Sequence, residues 1–268
     1  MGSTMKSSKP IHVREVWADN LVAEFSLIKE AISRFSFVAL DTEFPGTLFL
    51  SNHDKSLLSQ APPHNYCLMK DFNIEHDPYN NESIELLERQ GIDLKKNSEK
   101  GIDSSDFAWM VLSPRHFFSN SSLSWITFHG AYDFGFLIKI LTRRELPCDM
   151  GSFLGMVKLF FGVRVYDSKL MMGSISGLRG GLERVAKLLG VERTTGSRHQ
   201  AGSDSLLNLQ TFVRFKDSCA NLDLENMNGY EGMLFGLCVG WREFDRTPEV
   251  FIDTSTQSKP QCKQVYSV

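Results

Sequence analysis

Two carboxylates lie at the end of an apolar run near the start of the chain. Residues 38–46 read VALDTEFPG and place Asp41 and Glu43 directly before a Pro-Gly break. Residues two apart in a strand share a face, so these carboxylates should lie side by side and repel each other unless they share a cation. Oxygen ligands of this kind suit magnesium or manganese. Taken alone, the pair is better explained as a solvated strand end beside a turn, and the rest of the chain is what favours a metal site.

Two further acidic residues follow in similar contexts. Asp133 opens a predicted helix after a strand, and Asp204 lies early in a long predicted helix. With Asp41 and Glu43 they would concentrate four carboxylates in one place, which is unstable without cations. Two divalent ions roughly 3.5–4 Å apart would resolve this, activate a water and stabilise both the attacking and the leaving oxygens of phosphodiester cleavage. The four carboxylates therefore predict two-metal nuclease chemistry.

Such a reaction benefits from a general base, and His199 is the candidate. It lies five residues before Asp204, and an imidazole has an intrinsic pKa suited to the task. His129, four residues before Asp133, is its rival. The acids also have other interpretations, because Asp133 fits a helix cap and Asp204 fits a surface acid. Asp167 fits either a fifth acidic ligand or a strand end that caps the next segment.

The composition is that of a soluble globular protein. The chain has 268 residues, of which 42% are hydrophobic and 23% charged, enough for one large α/β domain or two small ones. A net charge of −3 removes the simplest electrostatic argument for nucleic-acid binding, although a basic groove or bound metals could still hold a phosphate backbone. The absence of a signal-like or membrane-spanning run, and five scattered cysteines, favour an intracellular protein.

Hydrophobic periodicity predicts alternating helices and strands, which is the pattern of an α/β fold. Asp19 is the predicted cap of the first helix, which ends near Arg34. The other predicted helices cover residues 83–90, 103–112, 132–141, 153–161, 181–189 and 199–216, and the predicted strands cover residues 36–40, 124–129 and 163–167. We predict a disordered tail over residues 1–10, one domain over residues 11–245 and a flexible tail over residues 246–268.

Five motifs stand in a specific order. They are DTEFPG from Asp41, HGAYDFGFLIKIL from His129, YDSKLMM from Tyr166, GGLERVAKLLGV from Gly180 and HQAGSDSLL from His199. Over about residues 13–237 the chain resembles the CAF-type catalytic deadenylase subunit associated with the carbon catabolite repression–NOT complex. That family belongs to the DEDD exonucleases, so the resemblance implies a ribonuclease H-like mixed sheet with flanking helices. It also implies a 3′-to-5′ exoribonuclease that removes poly(A) tails from messenger RNA.

The resemblance also implies roles for the site residues. Asp41, Glu43 and Asp204 would hold one divalent ion, magnesium or manganese. Asp41 and Asp133 would hold the other. His199 matches the histidine that defines the DEDDh branch and would act as the base. The implied partners are poly(A) RNA and the scaffold and second deadenylase subunits of the NOT complex, without a membrane, in the cytoplasm and nucleus.

Two departures from the family pattern bear on these expectations. Gly130 and Ala131 stand where the family usually has a Ser- or Cys-containing variant. Residues 66–70 pass almost directly to residues 71–73, where family members have an apolar strand, a Gly-rich turn and an aromatic strand. Residues 47–84 indeed offer no convincing strand pair. We therefore expect that a central hairpin is missing, which would lower stability and weaken activity.

Two other functions stay open at this point. The missing hairpin favours a catalytically weak or inactive paralogue that serves as a protein-binding subunit of the deadenylase complex. A related exonuclease acting on DNA or structured RNA would share the acidic residues, but it would not predict the deadenylase-specific motifs.

Overall fold

Three short strands and the helices around them make up the computed structural model, which describes residues 11–44, 79–113, 123–147, 149–218 and 229–237. In that part of the chain the elements are α1 (Leu21–Arg34), β1 (Phe37–Ala39), α2 (Asn81–Arg89), α3 (Leu94–Lys100), α4 (Ser104–Leu112), β2 (Ser124–Thr127), α5 (Ala131–Thr142), α6 (Met150–Phe161), β3 (Val165–Asp167), α7 (Ser168–Gly173), α8 (Leu182–Leu188) and α9 (Ala201–Ser218). The α/β class predicted from the sequence is confirmed.

The described sheet has the order β1-β2-β3, and both strand pairs are parallel. Val38 is aligned with Trp125, and Ile126 is aligned with Tyr166. Because the carboxyl ends of parallel strands meet at one edge of a sheet, the residues that follow β1 and β2 and the last residue of β3 lie close together. This edge is where ligand sites form in open α/β sheets.

The two faces of the sheet pack against different helices. Trp125 and Val165 join an apolar cluster with α1, α4, α5 and α6, in which the Trp125 and Phe161 rings lie 5.4 Å apart. Ile126 and Tyr166 point to the other face and join a cluster with α7, α8 and α9. Every residue of β2 is buried, as expected for a strand covered on both faces.

The helix starts differ from the sequence prediction in ways that capping explains. The prediction that Asp19 caps α1 is wrong, because Asn20 is the N-cap residue. Its side chain makes no hydrogen bond to the first turn of α1 and instead accepts the Trp17 N–H, before the helix, at 2.7 Å. Helix α3 was not predicted because Leu94 is its only apolar residue. Its start is set by Asp93, whose carboxylate accepts the Lys96 N–H at 2.9 Å.

Several predictions fall on residues that the structure does not describe. The hairpin that we expect to be missing would lie near residues 66–73, and the predicted tails cover residues 1–10 and 246–268. These remain predictions, as does the domain boundary at residue 245. Among the helices that the structure describes, none combines the length and the apolarity that a membrane crossing requires.

Gly130 occupies the tightest point of the turn between β2 and α5. A Cβ atom at this position would lie 2.2 Å from Oγ1 and 2.4 Å from Cβ of Thr127, which is fully buried at the end of β2. The space that a side chain at position 130 would need is therefore filled by Thr127. This contact gives a physical reason for glycine at position 130 of this chain.

We predict that Gly130→Ala lowers the free energy of unfolding by about 1–3 kcal/mol, the usual cost of overpacking. Gly155→Ala is the matched control, because a Cβ at this position within α6 meets nothing within 4 Å. That control should be neutral or stabilising by up to ~1 kcal/mol, since alanine favours helix. Urea unfolding measures both, and equal stability of the two variants would contradict the packing argument.

Candidate metal centre and active site

The first pair of predicted ligands lies just beyond β1. The Leu40 N–H donates to the Ile126 carbonyl at 3.0 Å, which extends the contact with β2 past the last strand residue. Asp41 and Glu43 follow in the next three residues, and both are half-buried. Strand β1 ends at Ala39, one residue before the predicted end at residue 40. The segment that follows it still delivers both carboxylates to the carboxyl edge of the sheet.

The third carboxylate, that of Asp204, lies far from the first two along the sequence. Asp204 lies in the first turn of α9, which packs against β1 through the Phe37 and Phe212 rings, with centroids 5.8 Å apart. Asp41, Glu43 and Asp204 each offer one carboxylate oxygen, and these three oxygens lie within 4.8 Å of one another. The structure thus brings together three of the four acids predicted from the sequence.

Asp133 lies beside this cluster and is held differently. It is buried in the first turn of α5, and its Oδ1 atom accepts a hydrogen bond from Thr42 Oγ1 at 2.7 Å. Thr42 stands between Asp41 and Glu43 in sequence, so this bond ties the first turn of α5 to the segment that follows β1. Asp133 is outside the group of three oxygens, but its charge acts on both neighbouring acids.

The carboxylates have pKa values far above the ordinary range. Burial, followed by the charges of Asp133, Glu43 and Asp204, raises the pKa of Asp41 to about 9, against a smaller opposing effect of Arg193. Burial and the charges of Asp204 and Asp133 raise the pKa of Glu43 to about 7. Burial and mutual repulsion of this kind favour the binding of a cation that balances the negative charge. Three convergent carboxylate oxygens fit a hard divalent cation such as magnesium or manganese.

Arg193 also belongs to this site, although no sequence pattern predicts it. Its guanidinium bonds to Asp204 Oδ1 and to Glu183 Oε1, the latter at 2.5 Å, and also to Ser203 Oγ. Its side chain is largely buried, with 14% exposure. A single Arg between α8 and α9 has no spacing signature, so only the tertiary structure reveals that it orients Asp204.

The two histidines have very different surroundings. His199 is exposed and has a left-handed backbone with φ 56°, and its N–H donates to Asp204 Oδ2 at 2.9 Å. His129 is half-buried, with Nδ1 3.4 Å from Lys169 Nζ and its ring edge-on to Phe235. Burial and the Lys169 charge lower the pKa of His129 to about 4, so its ring is neutral at neutral pH. A base of such low pKa is weak, which favours a packing role for His129.

Asp167 is the cap that one of the two sequence interpretations proposed. It is fully buried, and both of its oxygens accept backbone N–H groups, including those of Lys169 and Leu170 at the start of α7. The helix itself was not predicted, although the Asp at the strand end was its available signal. The other interpretation, a fifth metal ligand, fits less well because the carboxylate is already used as an acceptor on both oxygens.

The carboxylate cluster at the carboxyl edge of the described parallel sheet fits a divalent-metal-dependent hydrolase. Among relatives, "Probable CCR4-associated factor 1 homolog 10" from Arabidopsis thaliana is 40% identical over 274 residues, which covers 89% of this chain and 96% of the relative. "Poly(A) ribonuclease pop2" from Schizosaccharomyces pombe is 32% identical over 276 residues, which covers 91% of this chain and 82% of the relative. The chain belongs to the CCR4-associated factor 1/Pop2 family.

Solved structures agree with this assignment. S. pombe Pop2p in its Mg²⁺- and Mn²⁺-bound form superposes with a TM-score of 0.71 at 31% identity, over 84% of this chain and 99% of that chain. A chain in the structure of the yeast NOT1 MIF4G domain co-crystallized with CAF1 superposes with a TM-score of 0.65 at 25% identity, over 84% and 96%. No protein-family model matches the chain. The ribonuclease H-like fold and the divalent cofactors expected from the sequence resemblance are thereby supported.

The raised pKa values predict an unusual pH dependence of stability. Asp41 has its pKa raised from 3.8 to about 9 in the folded, metal-free protein, so the folded state binds more protons than the unfolded state between these values. The free energy of unfolding should therefore fall as the pH rises from about 5 to about 8. Mn²⁺ should restore more stability at the higher pH, because it replaces the missing protons.

Thermal unfolding of the EDTA-treated chain, with and without Mn²⁺, measures this effect. Asp41→Asn is the informative comparison, because it removes one of the three titrating carboxylates, the others being Glu43 and Asp133, and should reduce the difference between the two pH values. A metal-free protein whose unfolding midpoint rises across this range relative to Asp41→Asn would contradict the burial and crowding of the carboxylates.

Proposed function

We propose that this chain is a 3′-to-5′ exoribonuclease that shortens the poly(A) tails of messenger RNA. The observation that carries the proposal is the convergence of Asp41, Glu43 and Asp204, three carboxylates from distant parts of the chain with oxygens within 4.8 Å. Membership of a family that includes a protein named poly(A) ribonuclease supports the substrate. The proposal of 3′-to-5′ direction rests on the resemblance of the five sequence motifs.

Each residue has a defined part in this proposal. Asp41, Glu43 and Asp204 would hold one divalent ion, and Asp41 and Asp133 would hold the second. When bound, the ions supply Lewis-acid stabilisation of the scissile phosphate and lower the pKa of the attacking water. Arg193 orients Asp204, and Thr42 orients Asp133, through the bonds described above. His199, which is exposed beside Asp204, would accept the proton of the attacking water.

The proposed partners follow from the same family relationship. A structure of the yeast NOT1 MIF4G domain with CAF1 supports a NOT1-type scaffold as the partner of this chain. A second deadenylase subunit, and sites of action in the cytoplasm and nucleus, rest on the sequence resemblance alone. Co-purification of the tagged full chain with a NOT1 MIF4G domain tests the scaffold contact directly.

The first activity prediction separates an enzyme from a non-catalytic subunit. Purified full chain should degrade oligo(A) with a 3′-hydroxyl end in the presence of Mg²⁺ or Mn²⁺, and EDTA should stop the reaction. Asp41→Ala should abolish the activity and leave the fold intact, because it removes a ligand shared by both ions and relieves carboxylate crowding. Asp106→Ala, an exposed acid on α4, is the matched control and should keep the wild-type rate.

Product ladders on oligo(A), oligo(U) and single-stranded DNA of equal length decide the substrate. Faster shortening of oligo(A) supports a deadenylase, whereas equal rates on all three would favour a general exonuclease. An inactive wild-type chain that still binds the NOT1 domain would favour the protein-binding subunit. An active Asp41→Ala variant would contradict the assignment of Asp41 as a ligand shared by both ions.

The second activity prediction concerns the base. His199→Asn should slow the reaction by about 10²–10⁴-fold, the usual contribution of a general base, and should leave metal binding unchanged. Asn is the better replacement than Ala here because it tolerates the left-handed backbone that His199 adopts. A large kinetic loss in His129→Asn with little effect at His199 would reverse the two roles.

A further inference from the structure

The carboxylate of Asp167 collects more backbone hydrogen bonds than a helix cap requires. It lies at the carboxyl end of β3 and has no exposed surface. Its five donors come from three separate segments: the N–H groups of His129, Lys169 and Leu170 at 3.0, 3.1 and 3.3 Å from Oδ1, and those of Gly130 and Phe235 at 3.0 Å from Oδ2. Only Lys169 and Leu170 belong to the helix that Asp167 caps.

Two of the donors belong to the turn that leads into α5. Gly130 is the N-cap residue of α5, and His129 before it has a left-handed backbone with φ 71°. The Gly130 N–H lies at a helix start and is buried, so it needs an acceptor from elsewhere in the fold. Asp167 supplies that acceptor from the neighbouring strand, where it is aligned with Thr127.

The same turn determines where Asp133 lies. Asp133 is three residues after Gly130, in the first turn of α5, and the Phe134 N–H closes that turn by donating to the Gly130 carbonyl at 3.0 Å. A shift of Gly130 therefore moves the Asp133 carboxylate. Metal ligands have to be held to about 0.5 Å of the productive geometry, so even a small shift is costly.

The fifth donor brings in a distant segment. Phe235 lies in residues 229–237, and this segment also donates the Gly232 N–H to the Val165 carbonyl at 2.9 Å. The Phe235 ring is 4.9 Å from the His129 ring, and Lys169 Nζ lies 4.4 Å from the Phe235 centroid. Asp167 thus joins β3, the turn before α5 and residues 229–237 at one point.

We propose that Asp167 is a positioning residue for the second divalent ion: its carboxylate fixes the His129-Gly130 turn and, through it, the position of Asp133. The proposal rests on the proposed function in that Asp133 is taken as a ligand of that ion. Asp167 itself does not bind metal, because its two oxygens already accept five N–H groups. Loss of its acceptor geometry should weaken one metal site and leave the other, formed by Asp41, Glu43 and Asp204, in place.

Asp167→Asn is the test variant, because it keeps the size and replaces one acceptor oxygen with an NH₂ group. Asn is a good helix cap, so its oxygen should stay with Lys169 and Leu170, and its NH₂ group should then face the N–H groups of Gly130 and Phe235. Asp149→Asn is the matched control, because Asp149 caps α6 by accepting the Ser152 N–H at 2.8 Å. None of the acids assigned to the metal centre lies on α6.

A second control accounts for lost stability. Val157→Ala removes buried volume from α6, where Val157 is 1% exposed, and should lower the unfolding midpoint without removing any hydrogen bond of the turn or any carboxylate of the metal centre. EPR titration of the full chain with Mn²⁺ counts the sites and gives the affinity of each. Steady-state kinetics on oligo(A) at increasing Mn²⁺ concentration then separate kcat from KM.

In Asp167→Asn we expect one Mn²⁺ site weakened by about 10- to 100-fold, the usual effect of losing a hydrogen bond that orients a ligand. The other site should be unchanged, KM for oligo(A) should change little, and the lost kcat should return at high Mn²⁺. Both controls should keep two sites of wild-type affinity.

Two Mn²⁺ sites of wild-type affinity in Asp167→Asn would overturn the proposal. Equal weakening of both sites, or weakening that Val157→Ala reproduces at the same loss of stability, would also overturn it, because a general structural effect would then suffice. The Mn²⁺ titration does not depend on turnover. A wild-type chain that binds two ions but degrades no RNA would refute the proposed function and leave the positioning role intact.

Discussion

Repulsion between buried carboxylates limits how the site of this protein can be built. Asp41 has a pKa raised to about 9 by burial and by three neighbouring acids, so the site opposes its own ionisation when no cation is bound. Each acid therefore needs a separate element to hold it in place. Asp204 is held by Arg193, Asp133 is held by Thr42, and the packing of Phe212 on Phe37 holds α9 against β1.

The sequence was sufficient to predict the acids because their chemistry is local. A carboxylate at a strand end or in the first turn of a helix can be recognised from its neighbours, and Asp41, Glu43 and Asp204 do converge as predicted. Arg193 and Thr42 could not be predicted in the same way. Their functional bonds join residues that are 11 and 91 positions apart, and neither bond has a characteristic spacing.

The same distinction applies to the fold. Long amphipathic helices such as α5 and α9 follow from hydrophobic periodicity, whereas the short helices α3 and α7 depend on a single capping Asp. The sequence offered Asp167 as a strand end that caps the next segment, and this was correct. It gave no sign that the same carboxylate also reaches Gly130 and Phe235, because those contacts depend on the register of β3 with β2.

Asp167 also links the mechanical and electrostatic properties of the site. Burial raises the pKa of Asp133 to about 7, the Thr42 hydrogen bond opposes this rise, and the charge of Asp167 adds to it. The residue that fixes the turn therefore also makes Asp133 harder to ionise in the absence of metal. A neutral acceptor would avoid this repulsion, but an Asn side chain has only one oxygen and could not serve donors on both sides. At neutral pH and above, a cation that balances the charge makes the arrangement more favourable, so the fold of this turn and the binding of the second ion should depend on each other.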